Sequence, residues 1–220
     1  MLRKLAASAV GAGALALVVG TPAFALSGHW MLTGPAWNST FIAVSANLLF
    51  QAGATVSCAS APASGKVAPP IPNVWNSTGG GDPIITSLVI TTSGCVTVPP
   101  PFPSIAFNLT QNGTASLYVT GVTGPTTPVE IRGLSVKGAA LGGLCTAQAD
   151  GPGGADSKTG VIGGTYGGGV ITITGAGNMT IASASGPCAL VGISAGDPAS
   201  LSGSFTVTST PVPVVTAVTP

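Results

Sequence analysis

Phe41-Ile42-Ala43-Val44-Ser45-Ala46-Asn47-Leu48-Leu49-Phe50 is the stretch on which the reading of the fold turns. Ile42, Val44, Ala46, Leu48 and Phe50 recur at every second position, so a strand here would present them on one face. The same period recurs at Ile105, Phe107 and Leu109, at Val129 and Ile131, at Ile171 and Ile173, and at Phe205 and Val207. Polar or small residues occupy the positions between, as half-buried strands require. Beyond the N-terminal leader described below, no stretch places apolar residues at helical spacing opposite Glu, Lys or Arg, and glycine or proline interrupts the sequence throughout. The expectation is an all-β chain, arranged as an antiparallel β-sandwich of immunoglobulin-like or related type.

Of the 220 residues, 1–25 read as a secretory leader. Arg3 and Lys4 form its positive end, Leu5 to Val19 its apolar stretch, and Ala23-Phe24-Ala25 its small-x-small cleavage site. The apolar stretch is shorter than the roughly 20 residues that span a bilayer, so export without an integral membrane span is expected. Beyond the leader, nine charged residues remain: Lys66, Arg132, Lys137 and Lys158 against Asp82, Glu130, Asp150, Asp156 and Asp197. Four scattered cations cannot make a phosphate-binding patch, which excludes nucleic acid as a partner. The expected localisation is secreted or extracellular, with association to the cell surface as a variant.

Export gives Cys58, Cys95, Cys145 and Cys188 their meaning, because an oxidising exterior makes disulfides the default. Ile90-Thr91-Thr92-Ser93-Gly94-Cys95 echoes Ala182-Ser183-Ala184-Ser185-Gly186-Pro187-Cys188, and each follows an earlier cysteine at comparable distance. Pairing within each half is therefore expected, Cys58 with Cys95 and Cys145 with Cys188. Zinc is the rival reading, but no C-x-x-C pair is present and the only histidine, His29, is remote.

The region 26–209 reads as the β-rich body, with pseudo-repeats of about 40–137 and 138–209 that carry one disulfide each. One sandwich and two tandem modules are both compatible with this pattern. Glycine and proline are assigned to loops at 61–72, 79–83, 99–103, 124–128 and 150–154, and 210–220 to a flexible C-terminal tail.

Gly192-Ile193-Ser194-Ala195-Gly196 has the G-x-S-x-G spelling of a nucleophile elbow, but no helix pattern follows and His29 lies upstream. Glu130 and Arg132, two residues apart, are expected to form a solvent-exposed ion pair on one strand face. Asp150 and Asp156 flank a Gly-Pro-Gly-Gly turn that offers oxygens to calcium or, more simply, makes a turn. Gly163-Gly164-Thr165-Tyr166-Gly167-Gly168-Gly169 lacks the lysine and helix of a phosphate loop and reads as a glycine-rich hairpin with Tyr166 packed over it. No catalytic residue, metal site or cofactor is expected. Trp30, Trp37, Trp75, Tyr118 and Tyr166 are the candidate ligand-binding residues, as a platform for sugars or an apolar ligand.

Val56-Ser57-Cys58, Ser93-Gly94-Cys95, Gly143-Leu144-Cys145-Thr146, Gly163-Gly164-Thr165-Tyr166, Ser185-Gly186-Pro187-Cys188 and Leu201-Ser202-Gly203-Ser204-Phe205-Thr206-Val207 resemble the pattern of uncharacterised secreted four-cysteine β-rich proteins of actinobacteria. A looser similarity is to secreted chromophore-carrying apoproteins of antibiotic producers, whose shorter chains space their cysteines differently. The resemblance implies export, disulfides and a β fold and carries no catalytic residue across. The functional expectation is a non-enzymatic structural or adhesive protein of the extracellular space or cell envelope. The alternative is a small-molecule or glycan-binding module. Partners in keeping with either are a cell-wall glycan, a small apolar ligand or another protein.

Overall fold

The computed structural model describes residues 27–34, 36–68, 73–76, 81–98, 104–121 and 125–218. The leader 1–25 and the expected loop 99–103 lie outside these residues. Among the described residues the chain is all-β, with two short 3-10 turns and no α-helix. Among the described residues no helix is long and apolar enough to cross a membrane.

β1 (Ser27–Thr33) leads to a long bent strand made of β2 (Thr40–Val44) and β3 (Leu48–Ala52). The next long strand, β4 (Ala54–Ser60) with β5 (Ala63–Val67), returns beside it in one register, from Ala52 opposite Ala54 to Thr40 opposite Lys66. After β6 (Asn73–Asn76) the meander continues as β7 (Pro83–Ile90) with β8 (Ser93–Thr97), and then β9 (Ala106–Gln111) with β10 (Ala115–Val119). β11 (Thr127–Leu134) with β12 (Val136–Ala140), β13 (Cys145–Asp150) with β14 (Gly160–Gly167), and β15 (Val170–Gly177) with β16 (Thr180–Ser185) follow. β17 (Ala199–Val207) is the eighth long strand.

From the second to the seventh, each long strand pairs antiparallel with the one before it at both of its levels. At one level β17 bridges β15 and β2, closing an eight-stranded barrel. At the other, β17 pairs with β3, while amides of Ile181 and Ala199 bond to Asp197 and Met179 to seal β16 against the start of β17. The open-edged sandwich expected from the alternation is thus replaced by a closed barrel. Period-two alternation says only that one face is buried; a sandwich and a barrel both satisfy it, and closure depends on which strands meet last. The two expected pseudo-repeats also share this one sheet, since β17 of the second half pairs with β2 and β3 of the first.

The opening stretch itself departs from its simple reading. Phe41, Ala43 and Ser45 point inward, and then Leu48, Phe50 and Ala52, so the buried face changes phase at Ala46 and Asn47. Ile42 and Val44 are left 42% and 45% exposed. The cause is local: the buried Ser45 hydroxyl donates to the Asn47 carbonyl and accepts the Asn47 amide, bending the strand. On the partner strand Val56 and Cys58 give way to Ala61 and Ala63 at the same level. The other alternating runs keep their expected faces, with Phe107, Leu109, Val129, Ile131, Ile171, Ile173, Phe205 and Val207 buried.

Ala63-Ser64-Gly65-Lys66-Val67 falls in a segment expected to be a loop and is instead the strand β5, burying Ala63, Gly65 and Val67. A Cβ on Gly65 would stand 2.9 Å from the Thr86 carbonyl oxygen, so here glycine marks a close strand approach rather than a turn. The segment expected as a flexible tail contains β18 (Val214–Val218), which pairs with β1; β6 flanks β1 on its other side. This three-stranded sheet adjoins one barrel end, where Leu32 joins the core and the Tyr166 hydroxyl donates to the Pro213 carbonyl. The loop after β16 covers the other end with Cys188, Val191 and Ile193.

Both disulfides form as the internal echo implies, Cys58–Cys95 and Cys145–Cys188. Cys58 and Cys95 are direct cross-strand partners of β4 and β8. Cys145 at the start of β13 joins Cys188 in the closing loop.

Candidate functional site

The sixth long strand is interrupted between β13 and β14 by residues 151–159, and this insertion folds over the outer wall of the barrel. It reverses through Gly153 and Gly154 at positive φ and holds Asp156 and Lys158 in the left-handed region, at φ 62° and 53°. The anchor is Asp150, which has no exposed surface although it lies on the outer face. Its Oδ1 accepts the Gly151 amide at 2.9 Å, the Ser157 hydroxyl at 2.9 Å and the Thr159 amide at 3.1 Å. Gln148 Nε2 reaches Oδ2 at 3.4 Å. Burial alone would raise the Asp150 pKa, but the Ser157 hydroxyl and the neighbouring amides outweigh it and hold the carboxyl below its ordinary range.

Asp156 accepts Asn112 Nδ2 at 2.7 Å, Gln148 Nε2 at 3.2 Å and Lys137 Nζ at 3.0 Å. The hydrogen bond from Lys137, then those from Gln148 and Asn112, hold its pKa down. Gln148, buried beneath the loop, thus ties both carboxylates together and also reaches Ser135 Oγ at 3.1 Å. Three donors converge on Asp150 Oδ1 and three on Asp156 Oδ1, and the turn reading of this loop accounts for these contacts. Among the described residues, no three His, Cys, Asp or Glu side chains gather where they could hold a metal.

Beside this loop lies a trough of about 320 Å³ on the outer wall over β9, β12, β13 and β16. Register builds it as two rows of direct cross-strand neighbours. Thr110, Lys137, Gln148 and Ser183 form one row, and Asn108, Ala139, Thr146 and Ser185 the other. Neighbours within a row are separated by the strand spacing of about 4.8 Å. Gly138, Ala139 and Ala147 make a floor carrying nothing larger than a methyl group. Thr146 and Ser185 share a hydroxyl–hydroxyl bond of 2.5 Å, whereas the side chains of Asn108 and Ser183 make no hydrogen bond among the described residues.

The five aromatic candidates do not converge. Tyr118 stands on the outer wall with the Arg132 guanidinium 4.3 Å above its ring. Tyr166 is inside the barrel, where burial pushes its phenol up to about 12. Trp37, 65% exposed, lies in the segment before β2. Trp30 and Trp75 sit on β1 and β6, opposite Asn73 and Gly28, with their side chains outside the described part of the structure. Glu130 and Arg132 pair at 2.8 Å, but the contact is largely covered rather than solvent-exposed, because Arg132 lies over Tyr118.

Gly192–Gly196 belongs to the loop closing the barrel end. The Ser194 amide donates to Asp197 Oδ2 at 2.7 Å, and the chain enters β17 rather than a helix. His29 is on β1, which flanks the opposite end. The hairpin expected at Gly163–Gly169 is present, with Gly168 and Gly169 at positive φ in its turn.

Sequence reasoning missed Asn108, Thr110, Thr146, Gln148, Ser183 and Ser185. Each occupies an outward position of an alternating strand, but only the pairing of four strands assembles them. No family model matches the chain, and neither a curated protein nor a solved structure does.

Proposed function

We propose that this chain is an exported, non-enzymatic protein of the extracellular space or cell envelope with a structural or adhesive role. The observation that carries the reading is the distribution of chemistry in the barrel. Apolar side chains fill its interior, two disulfides tie it, and hydroxyl-bearing and small residues dominate its outer wall. Two interior gaps, of about 20 and 10 Å³, hold at most a water molecule each, which speaks for a rigid body rather than a carrier in that region. The leader-like residues 1–25 and the disulfides support the location.

Fractionation of producing cells tests the proposal. Recovery from the medium, or from intact cells by salt and mild detergent, is expected. Recovery only from the cytosol, with four free thiols, would overturn it. The alternative, a ligand-binding module, draws its support from the outer trough rather than from the dispersed aromatic residues.

A further inference from the structure

We propose that the trough over β9, β12, β13 and β16 is a binding site for a neutral oligosaccharide. The inference rests on the adhesive reading and supplies the ligand class of that surface.

Three features of the trough define the ligand. The first is charge: Lys137 is the only ionic side chain lining it, and Asp156 neutralises that cation from the adjoining loop at 3.0 Å. An anionic ligand would have to compete with a carboxylate already in place, so the surface selects against net charge. The second is hydrogen-bonding character. Thr110, Thr146, Ser183 and Ser185 carry hydroxyls that both donate and accept, and Asn108 carries an amide that does the same. A sugar ring presents the same two-way groups around its rim. Asn108 and Ser183, at opposite corners of the two-row grid, have their side-chain hydrogen-bonding capacity unspent among the described residues.

The third feature is shape. Because the backbone of Gly138 and Ala147 lies between the two rows and Ala139 is the smallest outward side chain in either, a flat ring can rest there while its hydroxyls reach the neighbouring polar groups of both rows. No aromatic or large aliphatic side chain lines the trough, as a hydrophobic metabolite would require. β9, β12 and β13 are paired on both sides, and the outer side of β16 is bonded to the closing loop at Ile181, so a peptide strand could add only along the short stretch that follows.

The test uses the disulfide-intact protein and amide-resolved NMR titration. Neutral gluco-, galacto-, manno- and arabino-oligosaccharides form the main panel, with an oligogalacturonate and an uncharged tetrapeptide as comparison arms. The expected result is saturable shifts at Asn108, Thr110, Thr146, Ser183 and Ser185 with at least one neutral sugar. The Asn108→Ala, Ser183→Ala double variant should weaken that binding by about tenfold or more, as expected for two lost hydrogen bonds. Ala139→Tyr, which fills the floor from the outer face, should abolish it while leaving the thermal transition in place.

Three results would overturn the assignment: no shift with any neutral sugar, shifts that map elsewhere or survive both variants, or tighter binding of the acidic sugar or the peptide at these residues. Each is distinguishable from failure of the adhesive reading, which is decided by where the protein is found.

Discussion

Asp150 accepts the hydroxyl of Ser157 at 2.9 Å, fastening the far side of the 151–159 insertion to the strand from which it departs. This contact and the two amides that share Oδ1 make Asp150 the stabilising centre of the loop. Asp150→Ala leaves the Gly151 and Thr159 amides without their acceptor, so a loss of about 3 kcal/mol is expected. Ser157→Ala removes one bond and should cost about 1 kcal/mol. Urea denaturation checks both; equal midpoints for Asp150→Ala and the parent protein would show that the loop is held by something else.

The lowered pKa of Asp150 makes stability depend on acid. Its carboxyl titrates lower in the folded chain than in the unfolded one, so its contribution is complete above the unfolded value near pH 4 and is lost as pH falls through the folded value. Asp156 adds a smaller term of the same sign, since it is exposed and screened. Thermal scans between pH 6 and pH 2 should show the parent protein losing stability in that window. Asp150→Asn should lower the plateau and flatten the slope, and an unchanged slope would count against the assignment.

Each disulfide closes a loop of similar length, with sequence separations of 37 and 43 residues. The chain-entropy model gives about 4 kcal/mol for a loop of this size. Cys58→Ala combined with Cys95→Ala should lose on that order in urea, and the pair at Cys145 and Cys188 a similar amount. Intact mass measured with and without reductant should differ by the hydrogens of two bridges, and peptide mapping should return the two pairings.

Gly53 forms the turn between β3 and β4 at φ 72°, and a Cβ there would lie 2.0 Å from the Gly192 carbonyl oxygen. Gly53→Ala therefore combines left-handed strain with a clash against the loop that closes the barrel end. A loss of at least about 2 kcal/mol is expected. Gly142, at φ 68° with nothing near its missing Cβ, is the control: Gly142→Ala should cost only about 1 kcal/mol, from backbone strain alone. Comparable losses at the two sites would remove the argument that Gly53 is kept for space.

Strand content was legible because alternation is a local property. Phe107 and Leu109, or Ile171 and Ile173, need only their own segment to turn apolar groups one way. The cysteine pairing was legible because two similar segments each follow an earlier cysteine at similar distance. Asn108, Gln148 and Ser183 gave no such signal. They lie tens of residues apart, and nothing near any of them in sequence says which strand will stand beside it.

The sequence by itself determined that this chain is β-rich, poor in charge and joined by Cys58–Cys95 and Cys145–Cys188. Tertiary structure alone decided that the strands close into a barrel, that the buried face changes phase at Ala46 and Asn47, and that four strands align two polar rows beside the Asp150 loop. Alternation constrains one strand at a time, whereas closure and register depend on backbone hydrogen bonds between segments as distant as Val44 and Thr206.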